Sequence, residues 1–212
     1  MNPVRIAVLV SGHGRGTNMQ SIIDACKDGR VTGEVAVVIG VNADAPVMER
    51  AAVSGAETVV VNPKEFPSAG DYDRALLDVL QSRRIDLICL AGYMRKIGQS
   101  VIDAYRNRIM NIHPALIPMF FGKGMYGSHV HEAAIERGVK YSGCTVHFVD
   151  EDYDTGPIIV QTVVPVLDGD TPESLAARIL IEEHKTYAAA IQLFAEGKLK
   201  VVGRRVFVWD RD

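Results

Sequence analysis

The chain has 212 residues, 48% of them hydrophobic, 23% charged and 7% aromatic. This is an ordinary globular composition, which excludes a disordered or collagen-like chain. Lys and Arg number 23 against 26 Asp and Glu, a formal charge of -3, so the basic footprint of a nucleic-acid binder is absent.

Residues Met1 to Arg5 lead into the short apolar run Ile6–Val10. That run is too short for the apolar centre of a signal peptide. Ser11-Gly-His-Gly-Arg-Gly-Thr-Asn18 follows, and then Met19, Ile22, Ile23 and Cys26 recur at helical spacing. The order is strand, glycine loop, helix. Residues 34–41 predict a second strand, 47–54 a helix, 57–61 a third strand and 71–82 an amphipathic helix with Leu76, Leu77 and Leu80 inward. A fourth apolar run spans 85–91. Continuous apolar strands alternating with helices predict a parallel sheet covered on both faces.

After Gly92 the rhythm changes. Residues 108–113 predict a strand ending at Pro114, and 115–127 a long loop with prolines and glycines. Residues 128–137 predict a helix. The strands 141–149 and 157–166 are expected to pair antiparallel across an acidic loop. Thr171-Pro172 starts a helix as N-cap and first helical residue, running to about residue 196. The segments 199–202 and 205–208 form a hairpin around Gly203-Arg204. The expected fold class is α/β, a single Rossmann-like domain over 1–212 with a mixed, mostly parallel sheet and helices on both faces. Two functional halves divide near residue 92. No apolar run approaches the ~18–20 residues that span a bilayer. The scattered Cys26, Cys89 and Cys144 contain no CxxC pair and predict a reducing, cytoplasmic setting.

Four features carry chemistry. The glycine loop stands where a doubly wound sheet binds ligands, at the carboxyl end of a strand. Gly12, Gly14 and Gly16 let the main chain approach a phosphate, while Thr17 and Asn18 can cap the helix or donate to phosphate oxygens. The bland alternative is a tight turn. The spacing is neither G-x-G-x-x-G nor a P-loop. In Asn111-Ile-His113-Pro114 an amide and an imidazole share one strand face, suited to an oxyanion and a proton transfer. Asp154 precedes Thr155-Gly156-Pro157, where a carboxylate can orient His113 and raise its pKa; His147 can line the same cleft. A calcium loop starting at Asp150 fails, since Thr155 and Gln161 stand where Gly and Glu are needed. Glu183 lies within the apolar ladder Leu175, Ile179, Tyr187, Ile191. It is either an internal ion pair or a ligand for something polar. His129 and His131 do not share a helix face, and without an HxxxH or HExxH pair no zinc or other metal is expected.

Together the S-G-x-G-x-G-T-N loop, Leu90-Ala-Gly-Tyr-Met-Arg95, Asn111-Ile-His-Pro-Ala-Leu-Ile-Pro118, Thr145-Val-His-Phe-Val149 and Asp154-Thr-Gly-Pro157 resemble the folate-dependent phosphoribosylglycinamide formyltransferases. The resemblance covers residues 4–202. It implies formyl transfer from 10-formyltetrahydrofolate, as co-substrate, to the amine of glycinamide ribonucleotide, by a monomer or homodimer with no nucleic-acid or membrane partner. Asn111, His113 and Asp154 match the catalytic trio, with His113 expected to act protonated. Gly16, Thr17, Asn18 and Glu183 match ribonucleotide contacts. Met94, Arg95, Lys96 and Ile97, with Asn111 and Asp150, Glu151, Asp152, Tyr153 and Asp154, match the folate segments. The phosphate loop is two residues longer than the commonest form, around His13 to Arg15, and Ala69 replaces a frequent folate-contacting Arg. The alternatives are a formyltetrahydrofolate hydrolase, a formyltransferase acting on a sugar-nucleotide amine, and a nucleotide-binding regulator without turnover.

Overall fold

The computed structural model describes residues 3–12 and 14–209; Met1, Asn2, His13, Asp210, Arg211 and Asp212 lie outside them. The fold is α/β, with a mixed, mostly parallel sheet. The chain divides into two compact units, Met1–Met110 and Asn111–Asp212.

The first unit contains β1 (Val4–Val10), α1 (Thr17–Lys27), β2 (Gly33–Gly40), α2 (Pro46–Val53), β3 (Thr58–Val60), α3 (Ala69–Ser82), β4 (Leu87–Leu90) and α4 (Gln99–Ala104). Its strands lie in the order β3-β2-β1-β4 and are parallel. Ile6 to Val10 and Leu87 to Leu90 are buried throughout, as strands covered on both faces must be. The register sets Val10 beside Gly40 and Leu9 beside Leu90, so these strands end along one edge, and the glycine loop leaves from it.

Two local expectations need correction. Neither Thr17 nor Asn18 caps α1: Gly16 occupies the N-cap in the left-handed region (φ 71), with no side-chain cap. Helix α3 begins earlier than its apolar pattern, because the Ser68 hydroxyl accepts the Asp71 N–H (3.2 Å), while Tyr72 is buried and Leu77 only half-buried. Helix α4 follows Gly98, in a stretch where the sequence pattern predicts no element.

Strand β5 (Ile109–His113) carries the chain into the second unit, which holds α5 (Ser128–Glu136), β6 (Tyr141–Phe148), β7 (Ile158–Pro165), α6 (Pro172–Ala195), β8 (Leu199–Val202) and β9 (Arg205–Val208). The strand order is β5-β6-β7-β9-β8. β6 and β7 are antiparallel, with an irregularity between Val146 and His147; such bulges re-aim side chains beside functional sites. Helix α6 starts as the sequence predicts, with Pro172 first and a capping box between Thr171 and Ser174. Its stripe Leu175, Ile179, Glu183, Tyr187, Ile191 is buried. Each aliphatic side chain there contributes about 1.5–3 kcal/mol by burial, which holds Glu183 inside. No helix of the described residues is long and apolar enough to cross a membrane.

Candidate active site

The site starts on β5. Side chains alternate along a strand, so Asn111 and His113 face one way. Pro114 has no N–H and ends the ladder. The chain after it is anchored by Thr145 of β6, whose hydroxyl donates to the Ala115 carbonyl (2.7 Å) and accepts the Ile117 N–H (3.1 Å). That anchoring sets the loop that reaches His113.

Asp154 enters from the loop between β6 and β7. Its φ is 56, a left-handed conformation in which Asp and Asn are enriched among non-glycine residues. A Cβ on the nearby Gly156 would collide with the Phe148 carbonyl oxygen, so the turn closes only with glycine at that position. The Thr155 hydroxyl donates to Asp150 (2.5 Å), and Arg204, in the turn of the β8–β9 hairpin, donates to the Thr155 carbonyl (2.6 Å).

These elements bring Asn111, His113, His147 and Asp154 together. The Asn111 amide donates to Asp154 Oδ1 and lies on His147 Nε2, both at 3.2 Å. His147 Nδ1 donates to the Phe148 carbonyl (2.7 Å), which leaves Nε2 to accept from Asn111. Both amide donors of Asn111 are thus engaged. Asp154 Oδ2 accepts the Gly122 N–H (3.1 Å) and lies 3.6 Å from His113 Nδ1. His113 Nε2 donates to the Phe120 carbonyl (2.7 Å). Both loop groups are main-chain atoms, with no side-chain signature in the sequence.

Burial pushes His113 down. Asp154 and the Phe120 carbonyl pull it up, and the net displacement is downward from the ordinary imidazole value. Asp154 thus raises it as expected, but desolvation of the ring outweighs the carboxylate and sets the net direction. His113 rests as a neutral imidazole with Nδ1 open beside Asp154. Burial pushes Asp154 up, but the two imidazoles and the Gly122 N–H outweigh it, and its carboxyl lies below the usual value. The pair is a neutral base beside a carboxylate. His131 of α5, uninformative by sequence, is buried, and burial first, then the nearness of a second imidazole in His113, holds it low.

The other predicted residues are placed as follows. Gly16, Thr17 and Asn18 form the start of α1 in the first unit, where backbone N–H groups precede the first helical turn. Met94, Arg95 and Lys96 are exposed and Ile97 is buried, also in the first unit. Asp150 is half-buried, and Glu151, Asp152 and Tyr153 are exposed. Glu183 is buried near Cys144, whose thiol is pushed up to about 11 by burial first, with a contribution from Glu183.

A buried imidazole with a half-buried amide and a half-buried carboxylate beside it makes a general acid–base centre suited to transfer at a carbonyl carbon. The chain belongs to the formyl transferase family, whose model matches residues 4–191. A crystal structure of glycinamide ribonucleotide transformylase 1 from Symbiobacterium toebii superposes with a TM-score of 0.91 and 50% identity, covering 99% of this chain and 95% of that one. Phosphoribosylglycinamide formyltransferase of Escherichia coli is 39% identical over 93% of this chain and 90% of its own length. The chloroplastic enzyme of that name from Arabidopsis thaliana is 43% identical over 92% of this chain and 67% of its own. The chain spans only 14% and 20% of the trifunctional purine biosynthetic proteins adenosine-3 of Drosophila pseudoobscura pseudoobscura and Homo sapiens.

Proposed function

We propose that the chain transfers a formyl group from 10-formyltetrahydrofolate to the amine of glycinamide ribonucleotide, in the cytoplasm, as a phosphoribosylglycinamide formyltransferase. The observation that carries this is the Asn111–His113–Asp154 group in a family member whose relatives carry that name. The neutral amine attacks the formyl carbon. Asn111 turns an amide N–H from His147 or Asp154 to the developing oxyanion. His113 receives the amine proton at Nδ1, where Asp154 stabilises the imidazolium, and passes it to the departing folate nitrogen. Starting neutral suits His113 to this role better than the protonated start expected from sequence.

Gly16, Thr17 and Asn18 bind the ribonucleotide phosphate through N–H groups and the helix dipole, and Glu183 binds the ribonucleotide. Met94–Ile97 and Asp150–Asp154 bind the folate. The test is turnover of 10-formyltetrahydrofolate by purified protein with and without glycinamide ribonucleotide. Tetrahydrofolate release that requires the ribonucleotide, with formylated product, is expected. Release without it identifies a hydrolase instead.

A further inference from the structure

Ser11 ends the buried strand and opens the glycine loop, the place from which a hydroxyl would serve a phosphate. It is 7% exposed, and its hydrogen bonds run elsewhere. The parallel ladder between β1 and β4 continues past the strands: Ala91 N–H donates to the Leu9 carbonyl (3.0 Å) and Ser11 N–H to the Gly92 carbonyl (3.3 Å). The main chain then turns away at Gly12, φ 87. Where the backbone departs, the Ser11 hydroxyl supplies the next acceptor and takes the Met94 N–H at 2.6 Å.

The same short segment is held from a second side. Tyr93 is buried, and its hydroxyl shares a 2.6 Å hydrogen bond with that of Tyr72 on α3. The Arg95 guanidinium stands 5.1 Å from the centre of the Tyr72 ring, within cation–π range. Ser11 therefore fixes the main chain at 92 and 94, and Tyr72 fixes the side chains of 93 and 95.

We infer that Ser11 is a positioning residue for the formyl donor and not a phosphate ligand: its hydroxyl sets the backbone of Met94, the first residue of the donor segment. The inference rests on reading Met94–Ile97 as that segment. Although Ser11 belongs by sequence to the phosphate loop, its loss acts on the other substrate.

The test varies each substrate separately. Ser11→Ala should raise KM for 10-formyltetrahydrofolate about 3- to 10-fold, the range of one lost hydrogen bond. KM for glycinamide ribonucleotide and competition by inorganic phosphate should not move. Ser11→Thr, which keeps the oxygen, should restore the donor KM. If Ser11→Ala is too unstable to assay, Ser11→Cys keeps the size with a weaker acceptor and should give the same donor-only change. A rise in ribonucleotide KM with donor KM unmoved overturns the inference. Hydrogen exchange gives a readout that needs no turnover: the 92–97 segment should exchange faster in Ser11→Ala than in wild type, with the start of α1 unaffected. Should wild type transfer no formyl group, the functional reading fails, and exchange alone judges Ser11; unchanged protection at 92–97 then overturns the link.

Discussion

The start of α1 and the cluster around Asp154 are built on opposite plans. The first presents backbone: Gly12 and Gly16 at positive φ, an N-cap with no side-chain partner, and an exposed Gly14 where an added Cβ would meet nothing closer than 4.0 Å. The second presents side chains already bonded to one another, with Asn111 using both amide donors and Asp154 accepting on both oxygens. A loop of the first kind gains partners when an anion arrives. A cluster of the second kind must exchange an internal hydrogen bond for one to substrate, which strengthens only as charge develops. The loop is thus suited to binding and the cluster to rate, and substitutions should separate the two.

The sharpest separation is expected at Asp154→Asn. Asn tolerates the left-handed backbone, so the melting temperature should change little, while kcat falls by about 10²–10⁴, the range for a lost acid–base partner. Near wild-type turnover in the folded variant would remove Asp154 from the chemistry. Asn111→Ala should lower kcat by about 10²–10³, as for a lost oxyanion donor, with both KM values little changed; steady-state kinetics shows whether KM moves instead.

Glu183→Gln keeps shape and removes charge. As a ribonucleotide contact it should weaken ribonucleotide binding about tenfold, within the range of a hydrogen bond to a charged group, with stability nearly unchanged. A loss of about 3–5 kcal/mol in thermal melts, with binding intact, would identify an internal ion pair instead.

The glycine loop contrasts two of its own members. A Cβ on Gly16 would lie 2.5 Å from Val47 Cγ2, at φ 71, so Gly16→Ala should destabilise by about 1–3 kcal/mol and report packing. Gly14 has open space. Gly14→Val should leave the melt within about 0.5 kcal/mol and raise KM for the ribonucleotide alone. An unchanged KM would detach the loop from the phosphate.

The mildest expected effect is in pH. His113 and His131 have folded values below their unfolded ones, so both must charge to unfold in acid. Their contribution is complete above the ordinary imidazole value of about 6.5 and declines as pH falls through the lowered folded values. Melts of wild type should drop between pH 7.5 and 5.5 by more than those of His113→Gln. Equal drops would mean that His113 is not held neutral.

Much of the architecture is legible in the sequence because it rests on periodicity. The buried runs Ile6–Val10 and Leu87–Leu90, the Thr171 cap and the final hairpin all follow from apolar spacing and turn chemistry. Helix α4 is not legible, since six residues after Gly98 carry too little pattern and no side-chain cap. At the site, period two puts Asn111 and His113 on one face, and the turn residues mark Asp154. The Phe120 carbonyl and Gly122 N–H cannot be read, because any residue supplies them. The direction of the His113 shift escapes the sequence for a related reason: the residue types show a carboxylate partner, but not how thoroughly a ring is removed from water. Ser11 is hidden by its neighbours, a hydroxyl in a glycine loop whose bond reaches 83 residues along the chain.

The backbone angle at Asp154 separates what folding can preserve from what turnover can preserve. At φ 56 the polypeptide accepts Asp or Asn with little preference, whereas the proposed proton chemistry requires the carboxylate. A library selected for soluble expression should therefore retain Asn beside Asp at this position, and the same library selected for formyl transfer should lose it. Position 154 would then stand out in paired selections as a place where yield carries almost no information about activity.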